Sequence, residues 1–263
     1  MVKHFMVGLL LLVSSFSFAQ DIEVAPAKLN YDCEPGQIQT KTITIQNHSN
    51  EKPQFTLSIG EMQTDIVGKA TSKINPERSC KNWITLNPSF FDANPNEIKE
   101  GKVIVQVPPG KSQTTWAIIY VTPTEEQTST TADKSMKTGI RLKPRIGVKV
   151  IQSPKSNKNF KGTISDLKEI TKAKDTLRTF EVKVNNTGDK VLEGKIYLVL
   201  SDLTTAKEIK AKPAKVSVMP GVKRTSKLIL PKNVPPGKYS LAAILDYGNN
   251  SALEAAQMNI EIK

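Results

Sequence analysis

The sequence is poor in the residues from which most active centres are built. Of 263 residues, two are cysteine and two histidine, and aromatic residues make up 6%. His4 falls in the leader described below. That leaves His48, in the turn-like run Asn47-His48-Ser49-Asn50, as the one imidazole for a Ser-His-Asp or Cys-His centre. There is no G-x-S-x-G, no H-E-x-x-H and no phosphate-cradling glycine loop. The adjacent carboxylates Glu125-Glu126 lie in a polar stretch and read as solvated. The chain therefore reads as a non-enzyme that uses no cofactor. Cys33 and Cys80 fit neither a zinc site nor a redox C-x-x-C pair. In an exported protein they can form a disulfide, where closing the loop would stabilise by roughly 4 kcal/mol, or they can remain two thiols.

Long apolar runs are also scarce. The one near the start, Met6–Val13, follows Lys3 and precedes Ser17-Phe18-Ala19, a small-x-small site. This pattern predicts a secretory signal peptide over residues 1–19. No later run approaches the roughly 20 apolar residues of a membrane-spanning helix, so the mature chain is expected to be exported, to the periplasm or cell surface of a bacterium, without a transmembrane segment. No stretch sustains a 3.6-residue apolar period. Instead, short bursts of Val, Ile and Thr are punctuated by 16 prolines and 14 glycines, which predicts an all-β protein of many short strands. The net charge is +12; residues 20–155 carry 17 basic and 14 acidic groups, and residues 156–263 carry 19 and 11. An exported basic chain meets anionic envelope polymers, lipid head groups or acidic proteins rather than nucleic acid.

Strand-like runs recur in order. Asp21–Tyr31 is broken by Pro26, Gln37–Asn47 alternates with Ile38, Ile43 and Ile45 as core candidates, and Phe55, Leu57 and Ile59 mark the next strand. Trp83–Leu86, Lys102–Val107 and the near-continuous apolar run Trp116–Val121 follow, the last a central-strand candidate. Thr122–Lys137 is polar and predicts a long flexible loop. The second half repeats this order. Val107-Pro108-Pro109-Gly110-Lys111 returns as Val234-Pro235-Pro236-Gly237-Lys238, each followed by an apolar strand, and Arg178–Asn185 echoes Lys41–Asn47. Tyr239 has the placing of a tyrosine corner. The expectation is two immunoglobulin-like β-sandwich domains in tandem, 20–153 and 154–263, joined near Ser153–Lys161.

One stretch stands out, Thr138–Pro154. Ile140, Leu142, Pro144, Ile146, Val148 and Val150 alternate with Arg141, Lys143, Arg145, Gly147 and Lys149, a half-buried strand with a basic outer row. Pro144 cannot donate to a ladder, which places the strand at a sheet edge or a bulge. Its lysines and arginines would deter aggregation there. A long basic edge is equally suited to β-augmentation by an extended partner segment.

Two tandem sandwiches, an export signal, a long loop before the last strand of the first domain and an alternating basic strand resemble the periplasmic pilus-assembly chaperones of the PapD-like family. The resemblance implies that a basic residue on the first strand and another on this strand anchor a subunit's C-terminal carboxylate. Lys28, in Ala27-Lys28-Leu29-Asn30-Tyr31, stands in the first place. At the second the matching position is Gly147, with Arg145 or Lys149 beside it. The first domain is also similar to surface proteins that bind WxL-domain proteins and peptidoglycan, through Val24-Ala25-Pro26, Pro35-Gly36, Asn47-His48-Ser49, Thr64-Asp65-Ile66-Val67-Gly68, Trp83–Pro88 and Val107-Pro108. Both resemblances imply a protein that holds other envelope or surface proteins. The expected partner-binding set is Lys28, Ile140, Arg141, Leu142, Arg145, Ile146, Val148, Lys149 and Val150. The alternative is a non-catalytic surface protein that binds peptidoglycan or another anionic polymer through its lysine-rich second domain.

Overall fold

The computed structural model describes residues 21–65, 72–73, 75–124, 145–248 and 252–263. The expected signal peptide, Ile140, Arg141 and Leu142 lie outside these residues. So does most of the expected loop, while its first residues, Thr122–Thr124, continue a strand instead of opening a loop.

The first half forms β1 (Ile22–Ala25), β2 (Lys28–Tyr31), β3 (Ile38–Asn47), β4 (Gln54–Gly60), β5 (Thr64–Asp65), β6 (Ser72–Lys73), β7 (Ile84–Asn87), β8 (Phe90–Asp92), β9 (Ile98–Gln106), β10 (Thr115–Thr124) and β11 (Ile146–Gln152). The second forms β12 (Gly162–Glu169), β13 (Thr179–Asn186), β14 (Leu192–Asp202), β15 (Glu208–Lys210), β16 (Ala214–Val218), β17 (Lys223–Ile229), β18 (Gly237–Asp246) and β19 (Glu254–Ile262). Sheets β1-β3-β9-β7 and β2-β11-β10-β4-β8 face each other across one core. Sheet β12-β13-β17 faces a second sheet in which β14 pairs with β18 on one side and with β15 and β16 in succession on the other. The molecule is two β-sandwiches, each with its own apolar interior, and the alternation expected of half-buried strands accounts for both.

Pro26 divides the first strand between the two sheets. β1 pairs antiparallel with β3, whereas β2, two residues on, pairs parallel with β11. Trp116–Val121 is central as expected, with β11 on one side and β4 on the other. Ile38 departs from expectation. It is 61% exposed because, five residues before Ile43, it points to the opposite face of the strand, beside the exposed Gln106 of β9. The internal repeat survives in three dimensions. Tyr239 is buried and its hydroxyl donates to the Pro235 carbonyl at 2.9 Å, closing the expected corner. Gly110 takes a positive φ of 75° in the first Pro-Pro-Gly turn, a conformation glycine adopts without penalty. Asn47 and Asn186, both fully buried, occupy matching strand ends. Each donates through its amide to carbonyls of adjoining segments and accepts from the backbone N–H two residues on, so neither is buried unsatisfied.

Candidate functional site

β11 divides into two halves. β10 borders it along its whole length, from Ile146 opposite Val121 to Gln152 opposite Thr115. β2 borders it only from Lys149 to Gln152. The ribbon is therefore not the bare edge expected from its sequence, and Val150, paired on both sides, is closed to any guest. The Lys149 N–H donates to the Ala27 carbonyl. Because backbone groups alternate sides along a strand, the N–H and C=O of Gly147 point the same way. Beside them, among the described residues, no strand is paired.

The apolar row is also corrected. Val148 and Val150 are both 0% exposed and belong to the core of their own sandwich, with Ile146 half-buried against it. The physical reason is plain. In a two-layer sandwich the apolar face of a strand must cover the opposing sheet, so these side chains are consumed in folding and do not wait for a partner. What β11 offers outward at its open half is backbone.

The outer face is shaped by glycine. A Cβ at Gly147 would lie 2.7 Å from Ile118 Cδ1, and one at Gly60 would lie 2.7 Å from Tyr120 Cε2. Ile118 and Tyr120 thus spread across the flanking strands, half-buried, where larger residues would push them up. The Arg145 guanidinium lies over the Tyr120 ring, 3.4 Å from its centroid, a stacking that occupies one face of the cation. Lys149 and Lys28 are register partners in the parallel pair and both are exposed, so their side chains leave the sheet side by side. Lys28 is engaged: its Nζ lies 2.7 Å from Glu193 Oε1, on β14 of the second sandwich.

The joint between the sandwiches was not legible in the sequence. The Asp189 carboxylate accepts from Arg78, from the Thr114 N–H at 3.1 Å and from the Asn157 amide. Arg78 also donates to the Thr114 carbonyl. Lys190 Nζ donates to the Ser153 and Pro154 carbonyls, and burial pushes its pKa down. Glu34 accepts from both the N–H and the hydroxyl of Ser156, which holds its carboxyl below the usual range. The only advance signal for Asp189 was its place in the repeated turn after Asn186.

Cys33 and Cys80 are buried and unbonded. Polar side chains stand between them. The Cys80 thiol is hydrogen-bonded to Thr115, Thr115 donates to Gln152, and Gln152 donates to the Cys33 carbonyl. Of the alternatives the sequence left open, the structure holds two thiols. Burial pushes the Cys80 thiol up to about 12 and raises that of Cys33. His48 forms a surface pair with Glu23 at 3.1 Å. Among the described residues no group of three His, Cys, Asp or Glu side chains could hold a metal, and no helix is long and apolar enough to cross a membrane.

No family model matches the sequence, and no curated protein matches it. Solved structures do match in fold. A chain from a chaperone–tip adhesin complex of CFA/I fimbriae biogenesis superposes with a TM-score of 0.50 at 10% identity, over 89% of this chain and 97% of the other. The class 5 fimbriae chaperone CfaA gives 0.49 at 10% identity, over 90% and 98%. The E. coli chaperone DraB gives 0.44 at 13% identity, over 90% and 98%. On the first of these superpositions the chain has the tandem immunoglobulin-like fold found in a fimbrial chaperone complex. The fold likeness spans almost the whole of both chains.

Proposed function

We propose that this protein is an exported, non-catalytic chaperone that holds fimbrial or adhesin-type subunits of the cell envelope by strand pairing along the open half of β11. One observation carries the reading: β2 pairs with β11 only from Lys149 to Gln152, and no strand among the described residues covers the Gly147 side of β11. An extended client segment would add there as a strand, with its main chain bonded to Gly147. Lys28 and Lys149, side by side below that position, suit a client's terminal carboxylate. Arg145, stacked on Tyr120, contributes charge to the rim. Among the described residues Ile146 is the member of the apolar row that keeps exposed surface; Ile140, Arg141 and Leu142 belong to the same expected binding set.

The test is co-expression with exported β-rich subunits of the fimbrial or adhesin type. A stoichiometric complex is expected, lost on Gly147→Pro. Proline removes the N–H on the open side and leaves the β10 ladder intact; its Cβ would come 2.7 Å from Ile118 Cδ1 and 3.3 Å from Ile118 Cγ1, so the Ile118 side chain must turn aside. A complex that survives Gly147→Pro, in a variant whose thermal unfolding matches the parent, would refute strand pairing.

A second reading has one observation in its favour. Lys207, Lys210, Lys212 and Lys215 line the edge made by β15 and β16, all exposed, with no carboxylate within ion-pair distance among the described residues. This edge suits an anionic envelope polymer such as peptidoglycan. Binding to purified cell wall that persists in Gly147→Pro and disappears at high salt would favour it.

A further inference from the structure

We propose that Glu193 is an internal occupant of the carboxylate site: in the free chain it holds Lys28, and a client's terminal carboxylate takes its place. The inference rests on the strand-pairing reading and adds the element that sets affinity at that site.

The pair joins the first residue of β2 to the second residue of β14, 165 positions apart and in different sandwiches. Lys149, the register partner of Lys28, rises on the same face and has no carboxylate within ion-pair distance among the described residues. Two lysines thus leave the sheet side by side, and Glu193 pairs with one of them. Like charges at directly opposed sheet positions repel, and an anion beside them relieves the repulsion. Glu193 supplies that anion from the neighbouring sandwich, which shows the chemical class of ligand the position accepts.

The pair is also exchangeable. The Lys28 and Glu193 side chains are 38% and 56% exposed, and ion pairs so open to water are weak. Nor is the contact needed to hold the sandwiches together, since Arg78, Thr114, Asn157 and Lys190 do so at a separate point. Glu193 can therefore leave Lys28 without dismantling the joint. The exchange breaks one ammonium–carboxylate contact and forms another, and no proton or bond changes hands.

The probe is a short synthetic strand-forming peptide of alternating valine and threonine with a free C-terminal carboxylate, together with its amidated twin. Binding is measured by fluorescence anisotropy to the mature chain at low salt. Glu193→Gln is expected to bind the carboxylate peptide about two- to fivefold more tightly than the parent. It should gain nothing for the amide, and adding Lys28→Met should cancel the gain. If the parent prefers the carboxylate peptide and Glu193→Gln leaves its affinity unchanged, Glu193 is not an occupant, while the strand-pairing reading stands. A gain that persists with Lys28→Met marks a general charge effect and also overturns the proposal. If neither chain binds either peptide, the strand-pairing reading fails and this inference with it.

Discussion

Gly147 and Val148 are adjacent, yet their duties are opposite. Val148 is fully buried between the sheets, and a carboxylate placed there would have no partner. Val148→Asp is therefore expected to cost more than about 4 kcal/mol and to leave little folded protein, measured by urea unfolding. Gly147 is half-buried on the outer face, where its value lies in lacking a side chain. The thiols yield a pH prediction. Cys80 titrates near 12 in the folded chain and near 8.5 when unfolded. The folded state thus keeps its proton where the unfolded state releases one. Stability from this group is complete below about pH 8.5 and falls by up to roughly 1.4 kcal/mol per pH unit from there toward pH 12. Tyr31, whose pKa burial also raises, adds to the loss above about pH 10. A urea midpoint that stays constant from pH 8 to pH 11 would contradict this. Neither cysteine should react with iodoacetamide until the chain unfolds.

At the level of elements, the apolar patterns marked β1–β4, β7, β9–β11, β13 and β18, and left β12, β14–β17 and β19 unmarked. Within β11 the alternation placed Val148 and Val150 inward and Lys149 outward, although Ile151, in phase with Lys149, is buried. It could not show how much of β11 was already paired, because the covering strand, β2, comes from the other end of the domain. The chain passes from one sheet to the other within two residues of Pro26, and a pattern local to residues 140–150 carries no trace of that. For the same reason Val148 and Val150 looked available: an apolar row that faces a core and one that faces a guest are identical in sequence. Ile38 misled differently: five residues from Ile43, it has the opposite parity and falls on the outer face of the strand. Pro-Pro-Gly-Lys, by contrast, is a local device, and the corner it announced at Tyr239 formed as expected.

For the whole molecule, the strongest contacts between the sandwiches were the least visible beforehand. Asp189 and Arg78 are 111 residues apart, and no spacing rule links them. Their side chains are about one-fifth exposed, which separates this pair from the open Lys28–Glu193 contact. Asp189→Asn would leave Arg78 partly buried without its carboxylate and is expected to cost roughly 1.5–3 kcal/mol. None of the joint residues belongs to either core, so small-angle scattering should show a broader distribution of sizes while the β-sheet circular dichroism signal is retained. An unchanged scattering profile together with an unchanged urea midpoint would mean that the linker alone sets the geometry. The repeat in the sequence announced two similar units; the way they are fastened had to be seen.

The partial cover of β11 has one more consequence. β2 begins at Lys28 and runs parallel to β11, so the lane beside Gly147, which no strand among the described residues fills, is blocked at its lower end by the protein's own chain. A visitor laid in that lane comes up against a buffer stop. The middle of a long strand cannot pass through, whereas a free tail can be pushed in until it halts. If its last carboxylate halts at Lys28, the visitor must travel in the same direction as β11. Which way round a guest lies, and how far it slides, would then be decided by where Pro26 interrupts the host.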